Sequence, residues 1–154
     1  MELTVASLNS IAELPREEIR TAIFGLQDAL LQADNRTDLA CFPVRHTFAP
    51  GCYAREMTIP EGQAIIGKIH RHAHVNVISL GRARVLSEFG VEELQAPCTF
   101  TSQPGIKRVV LALEDTVWTT IHVTDETDLE KIEAHVIASD YSDIEIVAES
   151  RRLE

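Results

Sequence analysis

A chain of 154 residues, 45% of them hydrophobic, is long enough to bury a core of its own and is expected to form one domain over 1–154. Lys and Arg number 14 against 24 Asp and Glu, and the formal net charge of −10 opposes a phosphate backbone, so nucleic acid is excluded as an expected partner. Cys41, Cys52 and Cys98 are odd in number and form no CxxC pair, which points to a reducing compartment rather than to a disulfide framework.

Residues 1–14 carry Glu2 and Glu13, and Arg16, Glu17 and Glu18 follow where a signal peptide would need an apolar core. No run approaches the length of a membrane span, so no membrane partner is expected and the expected location is cytoplasmic. Pro15 marks a first helical turn, and Glu17 and Glu18 suit the positive end of the helix dipole. Ile19, Ile23, Leu26 and Leu30 then recur at spacings of four, three and four, which predicts an amphipathic helix over 15–32 within an N-terminal helical segment, 1–38. Its apolar stripe is read as packing against the rest of the chain.

After Asp34-Asn35-Arg36 the pattern changes. Short runs rich in Val, Ile, Thr and aromatics alternate with turn residues from Phe42 onward, as in an all-β sandwich or barrel. Strands are predicted near 43–48, 52–59, 64–70, 73–79, 82–88, 91–95, 98–102, 106–113 and 116–123. Pro50-Gly51, Pro60-Glu61-Gly62, Gly81, Gly90, Pro97 and Pro104-Gly105 punctuate them. Thr127-Asp128-Leu129-Glu130 has the form of a capping box with Thr127 as the cap, so a short helix is predicted to run to about Ala138. In the tail, Ile144-Glu145-Ile146-Val147 reads as an edge strand or as an arm on a neighbouring subunit.

The chemistry concentrates in Ile69-His70-Arg71-His72-Ala73-His74-Val75-Asn76-Val77-Ile78. If this run is extended, His70, His72, His74 and Asn76 share one face. Half of the six histidines would then stand where imidazole nitrogens can hold a divalent metal. Same-face neighbours on a straight strand lie roughly 6.5–7 Å apart, which puts His70 about 13 Å from His74. Metal-bound imidazole nitrogens sit about 2.0–2.1 Å from zinc, so a straight strand offers two adjacent histidines and His72 belongs to both pairs. Using all three requires a bend or bulge.

His122 is the reserve ligand. It shares a face with Trp118 and Thr120, and beside the first histidine strand it would complete a three-histidine site; the competing reading is a hydrogen-bonded core histidine. His46, in an early edge strand, and His135, on the terminal helix, are weaker candidates. Glu56 is a candidate carboxylate, with surface pairing to Arg55 the commoner outcome. No GxSxG, P-loop, Rossmann fingerprint or HExxH is present.

Residues 42–123 resemble the cupin superfamily, whose first motif is a glycine, an HxH, a carboxylate and a second glycine. Gly67, His70-Arg71-His72, Asn76 and Gly81 follow that order, with Asn76 in place of the carboxylate. A second register sets His74 at the carboxylate and His70 at the second histidine, leaving Lys68 at the first. The family's second motif looks like Pro104-Gly105-Ile106-Lys107-Arg108, with Arg108 where a metal-binding histidine stands. A guanidinium cannot be a ligand, so Arg108 is read either as holding a carboxylate or phosphate group or as a structural ion pair. Tyr53-Ala54-Arg55-Glu56, the histidine run and 116–122 are also similar to cupin-like proteins of bacteria and their phages.

The resemblance implies a mainly-β, cupin-like jelly-roll barrel with an N-terminal amphipathic helix and a short C-terminal helix. It implies a divalent transition metal (Zn, Fe, Ni or Cu) on His70, His72, His74 and His122, and a small-molecule ligand at Arg108 and Asn76. Edges and one open sheet face lead to an expected homo-oligomer. The alternative is a non-catalytic structural or interaction module of a larger assembly, virion-associated if the chain is phage-encoded.

Overall fold

The computed structural model describes residues 3–32 and 42–138. Cys41, Asp34-Asn35-Arg36 and the tail with Ile144-Glu145-Ile146-Val147 lie outside the described residues. The elements are α1 (Val5–Ala12), α2 (Arg16–Gln32), β1 (Val44–Ala49), β2 (Cys52–Ile59), β3 (Ala64–Ile66), β4 (Ile69–His70), β5 (His74–Leu80) and β6 (Arg82–Ser87). They continue as β7 (Gly90–Gln95), β8 (Cys98–Ser102), β9 (Val109–Ala112), β10 (Thr116–His122), α3 (Leu129–Val136) and β11 (Ile137–Ala138).

The strands form two facing antiparallel sheets, β1-β2-β10-β5-β8 and β3-β9-β6-β7, with β4 paired to β11 as a short ribbon. Apart from the consecutive pairs β1-β2 and β6-β7, neighbouring strands are not consecutive in sequence, as in a jelly roll, and the fold is of that mainly-β type. Between the sheets lie Met57, Ile59, Ile78, Ala83, Val85, Val110, Ala112 and Trp118. The outer face of the four-stranded sheet is buried as well. Leu86, Val109 and Leu111 point away from the barrel and pack against Leu8, Ile19 and Ile23 of the two N-terminal helices. That double burial explains why Val109-Val110-Leu111-Ala112 is apolar at every position while other strands alternate.

The helix predicted over 15–32 is α2, and its stripe is an internal packing surface. Its seating is ionic too: Glu88, whose side chain is only 2% exposed, accepts from Arg20 Nε at 2.8 Å and also from Arg16 Nε. Helix α1 was not predicted. Thr4 Oγ1 accepts from the Ser7 amide and Ser7 Oγ accepts from the Thr4 amide, so a serine fills the place usually held by Glu or Gln in a capping box. The C-terminal helix is capped by Asp128 and not by Thr127. Asp128 Oδ1 accepts from the amides of Glu130 and Lys131, and the helix ends at Val136, with Ile137–Ala138 extended. Among the described residues, no helix is long and apolar enough to cross a membrane.

Two positions give direct tests of this packing. Gly81 turns β5 into β6 at φ +83°, and a Cβ there would stand 2.2 Å from the Asp115 carbonyl oxygen. Gly62 has a similar φ of +78° but open space around it. Gly62→Ala is expected to cost about 1 kcal/mol, from backbone conformation alone. Gly81→Ala is expected to cost about 3 kcal/mol or more, because the clash is with backbone. Denaturant melts of the two variants check the difference.

Lys107 is buried, with Nζ donating to the Gly67 carbonyl at 2.9 Å and lying 5.0 Å from the Phe24 ring centroid. Burial first, and then the nearby Lys68 charge, push its pKa down from 10.5 to about 8. The unfolded chain keeps this proton up to about 10.5 while the folded chain releases it near 8, so stability rises with pH across that window. Lys107→Met is expected to be more stable than the natural chain at pH 7, by on the order of 3 kcal/mol less the loss of the Gly67 bond. The gain should shrink toward pH 10.5, and thermal melts of both proteins across that range read it.

Candidate functional site

The run from Ile69 to Ile78 is not one straight strand. It breaks at Arg71-His72, between β4 and β5, and three hydrogen bonds fix the break. The Arg71 amide donates to the Val136 carbonyl at 2.8 Å, Arg71 Nε donates to the Ile137 carbonyl at 2.9 Å, and the Gly105 amide donates to the His70 carbonyl at 3.0 Å. Arg71, the one charged residue on what looked like the apolar face of a strand, is a latch for the chain leaving α3.

The bend brings His70 and His74 together, with ring centroids 4.2 Å apart instead of the separation a straight strand imposes. From β10, His122 places its ring 5.2 Å from His70 and 5.0 Å from His74. His72, on the bend itself, is exposed and stands apart from this group, its ring 5.1 Å from that of His135 on α3. The pair that meets is therefore the one named by the second cupin-like register. The shared-face arrangement of three alternate histidines is corrected by the bend.

His70, His74 and His122 border a cavity of about 410 Å³ in the mouth of the barrel. The inner face of the five-stranded sheet grades in polarity toward that mouth. The deepest row, read across the strands, is Val44, Met57, Trp118, Ile78 and Cys98. The next is His46, Arg55, Thr120, Asn76 and Phe100. Above it come Phe48, Tyr53 and His122, with His74 facing Ser102. Alternation on each strand puts one residue of every second position inside, so the polar rows follow directly from the sequence of β2, β5, β8 and β10.

Asn76 lies in the wall of the cavity, but its amide is committed to the wall. It donates to Ser102 Oγ at 2.8 Å and accepts from Trp118 Nε1 at 2.9 Å. Arg108 also donates to Ser102 Oγ, through Nη1 at 2.8 Å, with its guanidinium carbon 5.7 Å from the Phe100 ring centroid. Among the described residues, its buried Nε has no acceptor, and the buried Thr120 Oγ1 has no partner either. Each such group costs about 1–3 kcal/mol, and more when charged.

Sequence reasoning missed Arg55. It projects inward between His46 and Thr120, while Glu56 faces out and pairs with Arg45 of β1. The signal was available: Tyr53, Arg55 and Met57 share a strand face, and two of the three are plainly core residues. Lys68 also borders the cavity and pairs with Glu133. His46 Nδ1 and the Tyr53 hydroxyl are 2.7 Å apart.

The imidazoles are held neutral. Burial, then His74, His122, Arg108 and Arg55 in that order, push His70 down to about 3. Burial, then His74, Arg55 and His72, push His122 down to about 4. His74 is lowered by burial first, with Arg108 adding to the effect and hydrogen bonds to His72 and Asn76 opposing it. Neutral imidazole is the form that ligates metal.

Donor type fits such a role, and three rings around one zinc have centroids about 4.5–5.2 Å apart. The 5.2 and 5.0 Å distances from His122 lie in that range, and the 4.2 Å between His70 and His74 is shorter. His74 Nδ1 lies 3.4 Å from the His72 carbonyl, a contact that would leave Nε2 as the ligating atom. The nitrogens are not closed onto one point, and among the described residues no set of three or more His, Cys, Asp or Glu has the arrangement to hold a metal as it stands. Ring rotation would be needed.

No family model matches the chain, and no curated protein matches it. Several solved structures are similar to it in part. KdgF from Halomonas sp. has a TM-score of 0.48 and 16% identity, over 57% of this chain and 83% of that one. A cupin superfamily protein from Desulfitobacterium hafniense DCB-2 has a TM-score of 0.47 and 8% identity, over 55% and 78%. A cupin-2 domain protein from Shewanella frigidimarina NCIMB 400 has a TM-score of 0.45 and 12% identity, over 66% and 92%.

If the latch at Arg71 holds the bend, Arg71→Ala should lower stability by about 1–2 kcal/mol through loss of the bond to Ile137. Amide exchange at the β4–β11 pair should also accelerate. Unchanged exchange there would show that the bend is held some other way.

Proposed function

We propose that this cupin-like barrel binds a small molecule in its cavity, and that His70, His74 and His122 hold a divalent transition metal at the cavity's rim. The observation that carries the reading is the meeting of three neutral imidazoles from β4, β5 and β10 beside an open space of about 410 Å³. Imidazole ligation suits Zn, Fe, Ni or Cu. Such an ion would supply Lewis acidity toward a ligand oxygen.

The chain's own residues do the rest. Met57, Ile59, Val110 and Trp118 give the cavity an apolar floor that keeps water from the ligand's carbon skeleton. Trp118 and Asn76 brace each other, and the buried Ser102 ties Asn76 to Arg108, so the polar row is held in place before anything binds. A purely structural module gives no reason to keep unpartnered buried donors around an open cavity.

The test is elemental analysis of untagged protein after dialysis against Zn²⁺ or Ni²⁺. The natural chain and His72→Ala should retain about one equivalent, and His74→Ala and His122→Ala should lose it, in line with three protein ligands at an open site. Full occupancy in His74→Ala would refute the assignment.

A further inference from the structure

The cavity's charge is opposite in sign to that of the whole chain. The protein carries a formal charge of −10, yet Arg55, Arg108 and Lys68 border the cavity. Among the described residues, Glu133 is the one carboxylate in its lining, and it is paired with Lys68. Among the described residues, neither Arg55 nor Arg108 forms an ion pair. Several other described arginines are matched with acids, as with Arg82 and Glu93, Arg45 and Glu56, and Arg16 and Arg20 with Glu88. Two inward-facing guanidiniums without counterions are a departure from that habit. Burial costs each of them part of its proton affinity, and the cost is eased by Tyr53 for Arg55 and by Glu92 for Arg108.

The unpartnered atoms point the same way. Among the described residues, Arg108 Nε is a buried donor with no acceptor, and Thr120 Oγ1, beside Arg55 in the strand register, is a buried hydroxyl with none. A third such atom, Arg84 Nε, lies outside the cavity lining, in a guanidinium that already pairs with Glu93. Donors at Arg108 and Thr120, with a guanidinium at Arg55, are complementary to an oxyanion, and the planar fork of arginine suits a carboxylate. Below them the wall is Met57 and Trp118, which suits carbon rather than more charge.

We infer that the cavity takes a small organic carboxylate, its oxyanion received by Arg108, Arg55 and the Thr120 hydroxyl and its carbon skeleton laid on Met57 and Trp118. This rests on reading the cavity as a small-molecule pocket, but it needs no metal. An anion there would offset two desolvated cations and satisfy two buried donors at once.

The experiment is isothermal titration calorimetry on the full chain, dialysed against EDTA and then chelator-free buffer. The probes are succinate, benzoate, inorganic phosphate and the neutral benzamide. Binding of succinate or benzoate, weakened about tenfold or more by Arg108→Gln and by Arg55→Gln, is the expected result. Binding should also weaken as salt rises. Arg45→Gln, on the outer face, should bind as the natural chain does. Arg108→Lys keeps the charge without the fork and should still lose affinity, which covers the case of a misfolded glutamine variant.

Phosphate binding at least as tightly as both carboxylates, with the same arginine dependence, would overturn the carboxylate assignment. Benzamide binding as well as benzoate would overturn the anion claim while leaving the pocket reading intact. Absence of heat with every probe would overturn the inference, and the dialysis measurement on His74→Ala decides the metal reading separately.

Discussion

The bend at Arg71-His72 is the constraint on which the site depends. A straight strand cannot bring His70 against His74, and the chain departs from straightness there without glycine or proline. The departure comes from outside the segment: β11 pairs with β4, Val136 and Ile137 supply acceptors to Arg71, and Gly105 donates to His70. Ile132 and Val136 of α3 pack with Tyr53, whose ring stacks 6.0 Å from that of His122. Helix α3, the bend and the histidine cluster are thus one mechanical unit.

Most of the β-architecture was legible because it obeys the period of two. Met57, Trp118 and Ile78 fall into one row across three strands, and the sequence shows each of them alternating with more exposed residues. Helix α2 was legible for a similar reason, through the recurrence of Ile19 and Ile23. Local chemistry was harder to read. Helix α1 has a capping partner, Ser7, too common to be a signal, and the helix is only 8 residues long. Asp128 and Thr127 are both good caps, and only the backbone decides between them.

The site was half legible. His70, His74 and His122 were all in view, yet their grouping needed a bend imposed by Gly105, Val136 and Ile137, which are distant in the chain. His72 was favoured because a regular strand gives the middle histidine two neighbours, and the bend removes that advantage by setting its ring beside His135. Arg108 was visible as a departure from a family pattern. Arg55 was visible only if alternation was trusted over the pull of its neighbour Glu56, which pairs across the strands with Arg45 instead.

The central claim is geometric, and imidazole-selective NMR tests it directly. Cross-relaxation between ring protons should connect His70 with His74 and each of these with His122, while His72 shows contact with His135 and none with His122. A spectrum in which the His72 ring meets His122 and the His70 ring meets neither of the other two would contradict the account.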